Sequence, residues 1–509
     1  MASSKPIQIA LISVYHKEGL DEIIHLLQKN KVTIYSTGGT LDYIRSLGME
    51  AIAVEDLTGY PSILDGRVKT LHPKIFGGIL ARREESHLAQ LEQYDIPPID
   101  LVIVDLYPFE ETVRTTKDEE DIIEKIDIGG ISLIRAAAKN YDDVLIIASR
   151  EEYTSLQELL ISKGANSDFE DRKYFATRAF NVTSHYDKNI YDYFNRDGND
   201  VSLKISMVHP TPLRYGENPH QQGVYFGEPN ASFQKLSGKE LSYNNLVDVD
   251  AAIQLMYEFR NYAPTFAILK HTNACGVASR PAILEAWESA LAADPISAFG
   301  GVLICNSTMD AVTAKEINDI FYEVLIAPDF SEDALAILTA KRNRILLKLN
   351  HYPQTRRQVK SLLDGFVVQD MDTKTENLSD LKFVTNRHPY SEQIDDLLFA
   401  NKVVKHLKSN GIALVKNAQL IAMGCGQTSR VDALKQAIAK ALNFGFTLEG
   451  AVMASEAFFP FSDCVEIAYE AGIKAVIQPG GSIKDQESID FCDSVDMAMV
   501  MTGFRHFKH

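Results

Sequence analysis

Cysteine is scarce and scattered: Cys275, Cys305, Cys425, Cys464 and Cys492 are odd in number and form no C-x-x-C pair. That pattern excludes a disulfide framework and a thiolate zinc site. No apolar run approaches the ~18–20 residues of a membrane span. The opening MASSKPIQIALISVYHKEG has a short apolar core and no cleavage site, so it reads as a first strand and not as a secretory signal. These absences predict a cytoplasmic protein with no membrane association. Positive charge is also in short supply. A formal net charge of −18 leaves no basic face for a phosphate backbone, which excludes broad nucleic-acid binding. Anionic ligands then belong in locally basic pockets. What is present, 45% apolar and 24% charged residues over 509 positions, is the make-up of a globular protein of roughly two to four domains.

The first ~195 residues alternate strand and helix. IQIALISVY (7–15) reads as a buried strand, GLDEIIHLLQKN (19–30) as an amphipathic helix and KVTIYS (31–36) as a second strand. IDLVIVDLY (99–107) and DVLIIAS (143–149) continue the strands, with a helix over 131–139 between them. This order predicts a mostly parallel sheet with helices on its faces. The polar, turn-rich NRDGNDVSL at 195–203 marks a boundary. Beyond it, CGVASR (275–280) and CGQTSR (425–430) agree at four of six positions. Each precedes a helical run and then an apolar segment after glycine, which predicts a tandem pair of α/β subdomains joined by the polar QDMDTKTENLSD (369–380).

Several motifs carry chemistry. YSTGGT (35–40) stands between strand and helix. Ser36, Thr37 and Thr40 offer hydroxyls there, while Gly38 and Gly39 allow backbone N–H groups to approach an anion. A plain strand-to-helix turn fits the same residues. DGRVKTLHPKIFGGIL (65–80) places Arg67, Lys69, His72 and Lys74 within eight residues of an acidic chain, as an anion site requires. EKIDIGGISLIRAAAKN (124–140) sets Asp127 before Gly129-Gly130, where it either caps a helix or enters a site with Lys139. Tyr107 in LYPF stands at the strand's C-terminal end, the edge at which open α/β sheets bind ligands.

In the second half, TFAILKHTNACG (265–276) ends an apolar strand on Lys270 and His271. Neighbours on an extended strand face opposite ways, so both reach one site only if the strand ends there. A solvated strand end is the other reading. LRYGENPHQ (213–221) brings Arg214 and Tyr215, HLKSNGIALVKN (406–417) brings Asn410, and ADPISAFGG (293–301) brings Phe299 and Gly300. ASEAFFPFSD (454–463) brings Phe458, Phe459 and Asp463, and the basic GFRHFKH (503–509) closes the chain. A Phe-Phe-Pro-Phe run serves equally as core or as the wall of a flat ligand.

Together these motifs, in this order along the whole chain, resemble the bifunctional purine-biosynthesis family. That family joins AICAR (5-aminoimidazole-4-carboxamide ribonucleotide) formyltransferase to IMP cyclohydrolase. The resemblance implies a methylglyoxal-synthase-like cyclohydrolase domain (1–199). It also implies a formyltransferase of two cytidine-deaminase-like α/β subdomains (200–370 and 371–509), and homodimers that share their transfer sites. By motif it assigns Lys69, Tyr107, Asp127 and Lys139 to ring closure, with Ser13, Lys17, the Ser36–Thr40 loop, Arg67, Thr70 and Gly129 as nucleotide contacts. For formyl transfer it assigns Lys270, His271 and Asn410. Arg214, Tyr215, Asn245, Glu323, Arg430 and Arg505 match the nucleotide side, and Phe299, Gly300, Phe458, Phe459 and Asp463 the folate side. Two residues depart from the family pattern. Asp105 replaces an Asn before LYPF, and His16 replaces a small or acidic residue before Lys17.

The implied chemistry uses 10-formyltetrahydrofolate as co-substrate, no tightly bound cofactor and no metal. AICAR's 5-amino group is a poor nucleophile, so transfer needs a base, for which His271 is suited. Lys270 opposes a second positive charge beside it and, with Asn410, stabilises the oxyanion of the tetrahedral intermediate. Ring closure is intramolecular, so holding the reactive conformer removes much of its barrier. Two other classes compete with this one. A zinc nucleoside deaminase needs an H-x-E together with a P-C-x-x-C, and the second is missing. A non-catalytic nucleotide sensor would keep the phosphate loops, but the intact Lys270-His271 and Lys69/Lys139 sets argue against it.

Overall fold

Apolar runs of four or five residues separated by amphipathic helices fold residues Met1–Val208 around one parallel sheet. A computed structural model describes residues 4–64, 68–354 and 357–509. The sheet runs Ile52–Ala53, Thr33–Ser36, Ile9–Ser13, Leu101–Val104, Leu145–Ile147, every neighbouring pair parallel. The first strand is central, and the chain winds outward from it first one way and then the other. That reversal opens a crevice beyond Ser13 and Val104, the topological switch point where doubly wound sheets take ligands. Helices Leu20–Lys29, Gly129–Lys139, Tyr153–Lys163 and the 26-residue Phe169–Phe194 cover the sheet and bury its aliphatic residues. The last helix starts with a capping box, Asp168 and Asp171 each accepting the other's backbone N–H.

Residues His209–His509 form a second compact unit that contains two six-stranded sheets of identical topology. The first runs Phe233–Ser237, Ile345–Leu349, Val324–Ala327, Val302–Cys305, Thr265–Lys270, Asn273–Ser279. The second runs Lys382–Phe383, Ala498–Met501, Ala475–Gln478, Val452–Ser455, Ile412–Val415, Leu420–Gly424. Helices Tyr243–Glu258 and Ser391–Lys405 share one core with residues of both sheets, and the Phe259 and Phe399 rings meet at 4.8 Å. Between the halves lies an exposed hairpin, Arg357–Leu362 with Gly365–Asp370. The polar 369–380 stretch begins in its second strand.

The duplication is real, but its register is not the one the CGxxSR match suggested. Cys275 and Gly276 lie inside the strand Asn273–Ser279, whereas Cys425 and Gly426 lie beyond the strand Leu420–Gly424. A Cβ on Gly276 would sit 1.9 Å from the Ala290 carbonyl oxygen, so close helix packing demands glycine there. Gly426 instead occupies a turn at φ 67°. The true correspondence is between two hairpin turns. Ile268 pairs with Gly276 as Leu414 pairs with Ala422, each ladder followed by a bulge. His271-Thr272 and Asn417-Ala418 then form the turns, all four residues at φ between 51° and 65°.

Candidate active sites

The switch-point crevice of the first unit is a cavity of about 490 Å³. Its hydroxyl end is built by the strand ends and the helix Gly38–Ser46 that follows Thr37. Ser13 Oγ and Thr37 Oγ1 lie 2.9 Å apart, and Thr40 Oγ1 donates to Val14 O (2.9 Å) while accepting its N–H. Gly39, Lys69 and Thr70 line the same wall. A Cβ on Gly38 would stand 3.9 Å from the Lys69 ammonium, which therefore sits over the helix N-terminus. An anion placed there meets backbone N–H groups, hydroxyls and a cation together. Ser36 and Gly38 shape the loop without lining the cavity, Ser36 Oγ donating to Ile12 O at 2.8 Å. Arg67 lies outside the described residues.

Tyr107, Asp127 and Gly129 also line the cavity, and a Cβ on Gly129 would stand 3.1 Å from Thr70 Oγ1. Asp127 Oδ1 accepts the Gly130 N–H at 2.6 Å, so this carboxylate both caps the helix and faces the cavity. Burial raises its pKa, with the Gly130 and Tyr107 N–H groups and Lys69 pulling the other way. Burial, then the Asp127 charge, raises that of Tyr107 and keeps the phenol protonated. Lys17 lines the cavity with its pKa lowered by burial, an effect that Asp105 opposes. Lys139 does not join them. It ends the helix that starts at Gly129, about 15 Å along its axis, and is exposed. Sequence reasoning missed Tyr15, whose ring meets Tyr107 edge-on at 5.5 Å, although it follows the same strand end that supplied Ser13 and Lys17.

In the second unit the Lys270-His271 turn is held from below. Asp248, on the helix Tyr243–Glu258, accepts the N–H of Thr272 at 2.7 Å and also that of His271. Lys270 Nζ donates to Phe299 O at 2.8 Å, while His271 and Phe299 are exposed. Gly300, at φ 75°, returns its N–H to Phe321 O and lets the Phe299 ring rest on Phe321. Asn273 ties this turn to the next loop: its amide donates to His271 O (2.9 Å) and its oxygen accepts the Lys408 N–H (3.1 Å). Two residues on, Asn410 donates to Gln427 O and accepts from Arg430 Nη2 at 2.7 Å. Lys270 is thus bonded to Phe299, and the His271 turn is tied through Asn273 to the segment that carries Asn410 two residues later.

The other assigned residues divide. Arg214 and Arg505 are exposed, their guanidinium groups over the Tyr215 and Phe507 rings. Asn245 closes a capping box with Ser242, and Glu323 pairs with Lys239 at 2.6 Å. Asp463 opens the helix Asp463–Glu470. Arg430 is buried, its guanidinium spent on Glu456, Ser455, Gly411 O and Asn410, so it reaches the site through Asn410. Phe459 corrects the expectation of a folate wall, because its ring is wholly inside the second half's core. Phe458 is half-buried, and the exposed aromatic of that run is Phe461, which the Lys484 ammonium faces at 4.7 Å. Among the described residues no cluster of His, Cys, Asp or Glu is suited to a metal ion, and no helix is long and apolar enough to cross a membrane.

Comparison with known proteins bears on both units. Residues 137–440 match the family model described as AICARFT/IMPCHase bienzyme, and residues 19–132 match that of the MGS-like domain. A "Bifunctional purine biosynthesis protein PurH" of Bacteroides thetaiotaomicron is 59% identical over 510 residues, covering 100% of both chains. Proteins of the same name from Acetivibrio thermocellus and Aquifex aeolicus are each 47% identical, spanning 99% and 98% of this chain and 100% of theirs.

Proposed function

Because this chain belongs to the AICARFT/IMPCHase bienzyme family and carries out the last two steps of purine synthesis, formyl transfer to AICAR and ring closure of the product to IMP, we propose which residues perform each step. The observation that carries the ring-closure assignment is the cavity in which Lys69, Tyr107 and Asp127 face a hydroxyl-lined helix N-terminus. The nucleotide phosphate rests on Ser13, Thr37, Gly39 and Thr40. The carboxamide nitrogen attacks the formyl carbon, and Asp127 takes its proton. A carboxylate whose pKa is raised is a better base near neutral pH than an ordinary one. Lys69 stabilises the oxyanion, which recovers the proton from Asp127. Tyr107 then protonates the hydroxyl, which leaves as water while the phenolate takes the remaining formamido N–H proton and the ring C=N bond forms.

Formyl transfer belongs to the second unit. His271 removes the amine proton as the new N–C bond forms, and Lys270 and Asn410 stabilise the tetrahedral oxyanion. Its collapse breaks the bond from the formyl carbon to the donor nitrogen, which leaves with the proton that His271 took. The formyl group comes from a folate, which we identify as 10-formyltetrahydrofolate, bound on the Phe299 and Phe458 side. We assign the protein to the cytoplasm and infer that two copies complete each transfer site, which suits the exposed placing of His271, Phe299, Arg214 and Arg505. Following absorbance with AICAR and 10-formyltetrahydrofolate, then with formylated AICAR alone, tests the two assignments separately. A protein that binds both ligands without turnover would refute them.

A further inference from the structure

The segment Ser13–Lys17 leaves the central strand without entering a helix, yet it supplies Ser13, Tyr15 and Lys17 to the cavity wall. Side chains must therefore set its shape, and one carboxylate does most of this. Asp105, 8% exposed, accepts the N–H groups of Tyr15 and of His16 (3.0 Å) and the imidazole Nδ1 of His16 at 2.7 Å. Lys17 folds back on the same turn, its ammonium donating to Val14 O (2.6 Å) and Tyr15 O (2.8 Å). Asp105 also lines a cavity whose other charged groups are Lys17, Lys69, Glu124 and Asp127, beside several hydroxyls. A carboxylate in that position repels an anionic ligand unless its charge is engaged elsewhere.

Resting on the reading of this cavity as the ring-closure site, we propose that His16 is a positioning residue for that reaction. By donating Nδ1–H to Asp105, it holds the carboxylate on the backbone of residues 15 and 16, turned away from the nucleotide. That keeps Tyr15 and Lys17 on the cavity wall. Without the imidazole, one acceptor site of a buried carboxylate loses its donor, and the Lys17 ammonium, which already interacts with Asp105 through its charge, is drawn toward it. The nucleotide then meets an extra negative charge and loses a cation. Both effects act on bound substrate and transition state alike, so they fall on KM rather than kcat.

The test is a double-mutant cycle on the full chain, with ring closure of formylated AICAR as readout and formyl transfer and thermal unfolding as controls. His16→Ala should raise KM about tenfold, the scale of one charged hydrogen bond, with kcat within about threefold. In an Asp105→Asn background the same change should raise KM less than about twofold, because no charge is left to hold. His16→Asn, whose amide donates to the same carboxylate, should stay within about threefold of the wild-type KM. An unchanged KM in His16→Ala, or an equal penalty in both backgrounds, overturns the proposal. Lys69→Ala, run alongside, separates the two ideas. Ring closure at the wild-type rate in that variant removes the cavity reading itself, whereas loss there with an unaffected His16→Ala sinks only the pair.

Discussion

Replacing Arg430 by Met separates what holds the second unit together from what aligns its chemistry. The guanidinium is 6% exposed and bonds Glu456, which is fully buried, at 2.5 Å. Removing one partner of a buried pair strands the other charge and costs about 3–5 kcal/mol. The same guanidinium gives its other arm to Asn410 Oδ1, so the variant also loses the anchor of an oxyanion donor. Loss of such a donor typically lowers kcat by ~10²–10³-fold. A second variant, Arg430→Met with Glu456→Leu, replaces both charges by apolar groups of similar size, which is often neutral or stabilising. Urea unfolding and the two activities should then part company. The single variant loses stability and formyl transfer. The double variant regains stability but not transfer, since Asn410 keeps its bond to Gln427 O but its Oδ1 still lacks the guanidinium that orients the amide. Ring closure, carried by the first unit, stays near normal in the double variant. Wild-type formyl transfer in the double variant would refute the claim that Arg430 acts through Asn410.

His271→Ala should lower kcat for formyl transfer by roughly 10²–10⁴-fold, the usual value of a general base. It should leave ring closure of supplied formylated AICAR intact, and near-normal transfer would return the residue to an ordinary strand end. A chain of residues 1–208 should fold alone and close rings, because its core and cavity lie within that unit; an insoluble product where the full chain is soluble counts against the boundary. His506 gives a pH prediction. Burial works against its imidazolium, but Asp372 at 2.6 Å and Glu376 at 2.9 Å outweigh it and raise the pKa to about 9. A folded pKa above the unfolded value of 6.5 means full stabilisation below that value and loss as pH rises through about 9, roughly 3 kcal/mol at most. His506→Gln should flatten the urea midpoint between pH 6 and 10, and parallel curves for the two proteins would contradict it.

The cavity of the first unit was largely legible because strand ends in an alternating α/β sequence converge on one edge. Ser13, the Ser36–Thr40 loop, Tyr107 and Asp127 all follow a strand or open a helix, so topology alone brings them together. Other features leave no local trace. Asp105 and His16 are 89 positions apart and meet only because their strands are neighbours in the sheet. Asp248 caps a turn 24 residues further on, and nothing in its helix marks it. Along the run Phe458–Phe461 the choice of which ring enters the core depends on how the chain leaves the strand Val452–Ser455, which composition does not set. Lys139 belongs to a motif that starts at the cavity, but ten helical residues carry it away from that wall.

The duplication in the second unit places one turn scaffold in two different settings. Asp248 holds the first hairpin turn through Thr272 N–H, and Asp396 holds the second through the N–H groups of Asn417 and Ala418 at 2.7 and 2.6 Å. Lys270 Nζ bonds Phe299 O as Lys416 Nζ bonds Glu449 O, with Gly300 and Gly450 following at φ 75° and 77°. The scaffold of a lysine-bearing turn is therefore present twice. The turns differ in what they carry and in what they touch. The second has Asn417 where the first has His271, so it offers no base. Its carbonyls are taken by the other half, Asn417 O by Arg280 Nη1 at 2.7 Å and Ala418 O by the Ser279 N–H at 3.0 Å. The first turn is engaged more lightly, by the Lys408 N–H on Asn273, and His271 stays exposed. One copy of the device thus braces the two halves against each other, and the other leaves its histidine exposed, which suits the formyl-transfer role proposed for Lys270 and His271 with Asn410.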